Sequence, residues 1–237
     1  MVPPGEHTSK QFDSNLEDIR SSVLQMGGLV ESQLRAAIEG LTTGGAEVIA
    51  QVIDTENRVN SYEKEIDDAC VHVVARRQPA ASDLRLIMGV SKIVTDLERV
   101  GDEAEKIARM ARSIHGRGAL SIPRMVDVQQ TGNRAVALLR RVLDSMARLD
   151  STEAEKLIAE DELIDTEFRA IVRQLITYMM EDPRTISTAL DIVWIAKAIE
   201  RVGDHCKNIG EQVIYIERGT DVRHSGKPPQ PAAEGAP

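Results

Sequence analysis

The sequence predicts an all-α protein of two tandem three-helix bundles. Three observations carry this. Apolar residues recur at steps of three and four along almost the whole chain, which is the helical period. Aromatic residues are only 3% of 237 residues, too few for a β-sandwich core, while Ala, Leu, Glu and Arg are plentiful. The second half of the chain also repeats the first.

The first helix is expected over about 10–41, on a stripe of Leu16, Ile19, Val23, Met26, Val30, Leu34, Ile38 and Leu41, with Gly44-Gly45 ending it. The second is expected over about 46–77, with Ile49, Val52, Ile53, Val59, Ile66 and Val73, stopped by Pro79. The third is expected over about 82–115, with Ser82 as N-cap. Its stripe is Leu86, Val90, Ile93, Val94, Leu97, Gly101, Ala104, Ile107, Ala108 and Ala111, and Gly116-Arg117-Gly118 breaks it. The fourth, fifth and sixth are expected over about 122–149, 152–181 and 184–218, the last opened by Asp182-Pro183. Residues 1–8 and 219–237, polar and Pro-rich, read as disordered ends, leaving repeats over 9–117 and 118–218.

The repeat is explicit. Glu98-Arg99-Val100-Gly101-Asp102 returns as Glu200-Arg201-Val202-Gly203-Asp204 (200 − 98 = 102). Ile53, Glu56, Val59, Asn60 and Ile66 fall on Ile158, Asp161, Ile164, Asp165 and Ile171 (158 − 53 = 105), and Leu34 and Ile38 fall on Leu139 and Leu143. Constant order with a small drift in offset is what duplication followed by loop changes leaves behind.

A net charge of −9 argues against nucleic acid, which needs a basic face. Cys70 and Cys206 stand far apart and form no zinc or disulfide framework. The N-terminal residues have no basic-then-apolar leader pattern, and no apolar run reaches the ~18 residues of a membrane helix, so any membrane role is expected to be peripheral. There is no phosphate-cradling Gly-rich loop and no nucleophile elbow.

The repeated motif carries chemistry. Glu98 and Asp102, like Glu200 and Asp204, are one helical turn apart on one face. Asp161 and Asp165 make a third such pair, with Glu56 and Asn60 at the matching places in the second helix. Carboxylates on neighbouring turns suit hard cations such as Mg²⁺, Mn²⁺ or iron. The competing reading is a solvated acidic face or pairing with Arg99 and Arg201. Gly101 and Gly203 favour the site, because they allow a neighbouring helix to approach at that level. His205 stands beside Asp204 and is a weaker ligand candidate. Cys206, in the place of Ala104, reads as packing, and Trp194 and Tyr178-Met179-Met180 read as core or interface. A carboxylate-bridged metalloenzyme is the competing function, but none of the histidines follows a glutamate by three positions as such helical bundles require, so no enzyme is expected.

The doubled Glu-Arg-Val-Gly-Asp, with His205, Cys206, Asn208, Ile209 and Glu211 after the second copy, resembles the PhoU family of phosphate-transport accessory and regulatory proteins. Pro79-Ala80-Ala81-Ser82-Asp83-Leu84-Arg85 is similar to that family's segment before the third helix. The resemblance covers about residues 10–218 and implies two three-helix bundles. It implies metal at the acidic motifs, iron or zinc in some members and Mg²⁺ or Mn²⁺ in others. The residues so indicated are Glu98, Asp102, Glu200, Asp204, Asp161 and Asp165, with Asp96, and after them His205 and Asn208. The first copy departs from the pattern, with Lys106 and Arg109 where the second has Asn208 and Glu211, which predicts a weaker first site. The resemblance further implies a cytoplasmic, dimeric negative regulator of the phosphate-starvation response. Its partners would be the ATP-binding subunit of a phosphate ABC transporter and a membrane sensor histidine kinase.

Overall fold

The computed structural model describes residues 10–117 and 125–223. The expected disordered ends at 1–8 and beyond 223, and the expected start of the fourth helix at 122, lie outside the described residues. Within them the chain is helical: α1 (Lys10–Thr43), α2 (Ala46–Arg77), α3 (Ala81–Gly116), α4 (Met125–Arg148), α5 (Ser151–Glu181), a 3₁₀ turn (Pro183–Thr185) and α6 (Ile186–Arg218). No helix among the described residues is long and apolar enough to cross a membrane.

Each boundary has a local cause. Gly44 takes φ +68° after α1, and Gln78 closes α2 in the left-handed region with its N–H on the Val74 carbonyl. Asp150 caps α5, its side chain accepting from the Glu153 N–H at 3.0 Å. Gly219 closes α6 at φ +72°. Two expectations at helix starts need correcting. Ser82 is not an N-cap: α3 starts at Ala81, with the extended Ala80 in the cap position and no side-chain cap bond. Asp83, in that first turn, supplies the acid that complements the helix dipole. Asp182-Pro183 opens a 3₁₀ turn rather than α6 itself, with the Asp182 carboxylate accepting from the Arg184 N–H at 3.0 Å.

The helices group as the repeat requires. α1, α2 and α3 pack on one another, and so do α4, α5 and α6. The apolar stripes form the interior: Val23, Met26, Val30 and Leu34 of α1, and Ile93, Val94, Leu97 and Ile107 of α3, are fully buried. The bundles meet through α3 against α6 and α1 against α4. α3 and α6 run antiparallel, since Gly89 touches Ile216, Asp96 meets Asn208, Glu103 meets Arg201 and Arg117 meets Asp191. Gly132 of α4 seats Ile38 of α1, and Gly27 seats Leu143. α2 and α5 therefore flank the molecule on opposite sides. Antiparallel pairing of α3 with α6 brings the two copies of the repeated motif to the same height across the seam.

Leu97 is fully buried at the centre of α3. Leu97→Ala is expected to lower stability by about 2–5 kcal/mol, read as a shift of the urea unfolding midpoint with unchanged native helicity.

Candidate metal centre

In the first bundle, Glu56 reaches from α2 to α3, where Glu98 and Asp102 wait one turn apart. One carboxylate oxygen from each of the three lies within 4.8 Å of the others. Among the described residues this is the one group of three or more potential ligands drawn so tightly together. Glu56 is 6% exposed, and its seat is made by Gly101: a Cβ there would fall 2.9 Å from Glu56 Oε2. The floor is Gln33 of α1, whose amide Nε2 donates to Glu56 Oε2 at 2.9 Å and to the Val52 carbonyl at 3.1 Å. Glu56 Oε1 and Gln33 Oε1 are buried without a hydrogen-bond partner among the described residues.

The electrostatics follow from this packing. Burial pushes the Glu56 carboxyl up to about 7, the Gln33 hydrogen bond works against it, and Asp102, Glu105 and Glu98 add to the rise. Glu98 is raised too, by burial first, then by Asp102 and Glu63, with Arg99 and His205 opposing. Arg99 lies between the two motif acids, 3.5 Å from Glu98 and 3.9 Å from Asp102. It is 59% exposed, so it holds them weakly and can swing aside. Lys106 and Arg109, whose charge predicted a weaker first site, pair with Glu103 at 2.8 Å and Glu105 at 2.5 Å, on the helix they belong to.

The second bundle repeats the plan with different contacts. Asp161 of α5 is 5% exposed and sits against Gly203, where a Cβ would collide with its Oδ1. That oxygen is also buried and unpartnered. Burial pushes the Asp161 carboxyl up to about 6, with Asp204, Asp165 and Glu200 adding and Lys207 opposing. Here Glu200 bonds Lys197, and Asp165 lies 3.4 Å from Arg169, which is as exposed as Arg99.

The remaining sequence candidates gather at the α3–α6 seam. His205 Nδ1 and Asp96 Oδ1 are 2.8 Å apart, and Asn208 Nδ2 donates to the same oxygen at 3.0 Å. Asp96 of α3 thus ties to both His205 and Asn208 of α6. Cys206 is buried, and burial pushes its thiol up, as packing requires. Trp194 is 57% exposed and Met180 is exposed too, so neither belongs to the core. Sequence reasoning marked Glu56 only as the counterpart of Asp161, and it missed Gln33.

The fit to a cation can be tested on these atoms. Three carboxylates converge, two acceptor oxygens beneath them lack donors, and a glycine keeps the space clear. An all-oxygen donor set of this kind fits a hard cation better than a thiolate- or imidazole-seeking one.

Fold and site together define an all-helical tandem-repeat protein with a buried carboxylate seated on a glycine in each half. The PhoU domain model matches residues 23–111 and 128–213. The chain is 47% identical over 221 residues to the phosphate-specific transport system accessory protein PhoU homolog of Pseudomonas aeruginosa, covering 93% of this chain and 90% of that one. It is 44% identical to the phosphate-specific transport system accessory protein PhoU of Escherichia coli, covering 93% and 91%. The crystal structure of PhoU from Pseudomonas aeruginosa matches with a TM-score of 0.85 at 46% identity, over 88% of this chain and all of that one. The phosphate transport system regulatory protein PhoU from Streptococcus pneumoniae matches at 0.81 and 26% identity, over 89% and 99%. The chain belongs to the PhoU family.

The buried acids set a pH dependence. Both have folded values above their ordinary ones of 4.5 and 3.8, so the folded state holds the protons more tightly. Their contribution to stability is present in full below about pH 4 and is lost as pH rises through about 6 to 7. For Glu56 it is on the order of 3 kcal/mol. Urea midpoints of chelator-treated protein are expected to fall more between pH 5 and pH 8 for the parent than for Glu56→Gln; equal falls would show that Glu56 is not the group responsible.

Proposed function

We propose that this chain is a phosphate-transport accessory protein that acts as a negative regulator of the phosphate-starvation response and of high-affinity phosphate uptake. In this reading it is an adaptor, a cytoplasmic homodimer that docks on the ATP-binding subunit of a phosphate ABC transporter and on a sensor histidine kinase, with any membrane contact peripheral. Family membership and the names of its relatives, accessory and regulatory proteins of phosphate transport, support this.

The observation that carries the site reading is the convergence of Glu56, Glu98 and Asp102 over unpartnered oxygens. These residues would hold a hard divalent cation, Mg²⁺ or Mn²⁺, in preference to zinc, and Asp161, Asp165, Glu200 and Asp204 would form a second site. A bound cation supplies positive charge that relieves the repulsion among the acids. The chain's own residues do the rest: Gly101 and Gly203 admit the buried carboxylates, and the helices on either side hold them at fixed height. Loss of the cation would leave like charges packed between α2 and α3, which weakens that contact. The adaptor can thereby present different surfaces in its loaded and unloaded states.

Two measurements test the reading. Purified parent protein is expected to retain bound Mg²⁺ or Mn²⁺ that is lost in Glu98→Gln/Asp102→Asn at full helicity. In pull-downs at physiological salt it is expected to capture both the transporter's ATP-binding subunit and the kinase. Failure to capture either protein would remove the adaptor role, whatever the metal content.

A further inference from the structure

The two halves are copies, yet the sites they carry are built on different floors. At the offset that places Leu34 on Leu139 and Glu56 on Asp161, Gln33 falls on Leu138. Both side chains are buried, Gln33 at 2% exposure and Leu138 at 5%. An amide in the place of a leucine costs stability unless its polar atoms are met. The NH₂ of Gln33 is met twice, by Glu56 Oε2 and by the Val52 carbonyl. Its carbonyl oxygen is met by nothing among the described residues, and neither is Glu56 Oε1. A Cβ on Gly101 would stand 3.2 Å from Gln33 Oε1 and 2.9 Å from Glu56 Oε2, so both groups open on the same stretch of α3 that carries Glu98 and Asp102.

The second half has no equivalent. Leu138 offers Asp161 no hydrogen bond, and the half-buried Lys197 bonds Glu200. Three acids are gathered in the first half, and no such group forms in the second among the described residues. The difference runs opposite to the charges that follow the motif, since the first copy is the more basic one there.

We propose that the two acidic sites are inequivalent, that the first is the tight one, and that Gln33 is the positioning residue that makes it so. Its amide fixes Glu56 by one oxygen and leaves the other for the ion. Its neutral carbonyl, adding polarity without charge, suits a hard cation such as Mn²⁺. This rests on the reading of the acidic motifs as metal sites. Groups that orient a ligating side chain in this way are typically worth ~10–100-fold in metal affinity.

The test uses the full chain, stripped with chelator and titrated with MnCl₂, with free Mn²⁺ followed by electron paramagnetic resonance. The parent is expected to show a tight class and a weaker one, with Asp161→Asn removing only the weaker. Gln33→Leu, which copies the second half, and Gln33→Met, which keeps the length without the amide, are each expected to weaken the tight class by about 10–100-fold and to alter the spectrum of bound Mn²⁺. Helicity and the weaker class should not change. A tight class that survives both substitutions, or is lost with leucine and kept with methionine, overturns the role of Gln33 while leaving the metal reading intact. Two classes of equal affinity overturn the inequivalence. A parent that binds no Mn²⁺ overturns both the inference and the reading beneath it.

Discussion

The seating of a buried carboxylate on a glycine of the neighbouring helix is the constraint on which the rest of this structure depends. Glu56 lies against Gly101 and Asp161 against Gly203, each with no room for a Cβ between them. A carboxylate taken out of water is costly, and the upward displacement of both groups reports that cost. The protein keeps acids at both positions and surrounds them with further acids from the facing helix. That is an arrangement against stability, and it makes sense when something positive is meant to enter.

Antiparallel packing of α3 on α6 extends this local feature to the whole molecule. It sets both motifs at one height, so the acidic sites lie on either side of a seam that carries polar bonds of its own. Glu103 holds Arg201 and Lys106, and Asp96 holds His205 and Asn208. These bonds consume the residues nearest the motifs and leave the motif acids with little else to do. Arg99, exposed to solvent, lies near both acids of the first motif. In the proposed reading, duplication gives two sites, and single differences around them, Gln33 against Leu138 above all, separate their properties.

The fold was legible because it is written redundantly. The stripe on α1 from Ile19 to Leu41 has a clear helical period, and every member is buried. The duplication supplied a second, independent reading of the same three helices. Capping was less legible: Ser82 has the right chemistry for an N-cap, but the helix begins one residue before it, at Ala81. The acids at i and i+4 were readable because their spacing places them on one face. Their pairing was not. Nothing in the chain order shows that Arg201 crosses to Glu103, or that Asp96 crosses the seam to His205, since both depend on how α3 meets α6. Gln33 was invisible for a different reason. A single glutamine in an apolar stripe, between Val30 and Leu34, has no periodic signal, and only its contact with Glu56 gives it meaning.

Glu56, Glu98 and Asp102 are proposed as one cation site. A crystal of the protein grown with Mn²⁺, with anomalous diffraction recorded at the manganese edge, tests this. The expected result is a peak bonded to all three carboxylates beside Gly101. Anomalous density confined to other surface acids, or absent from a cluster whose carboxylates are seen in place, would contradict it.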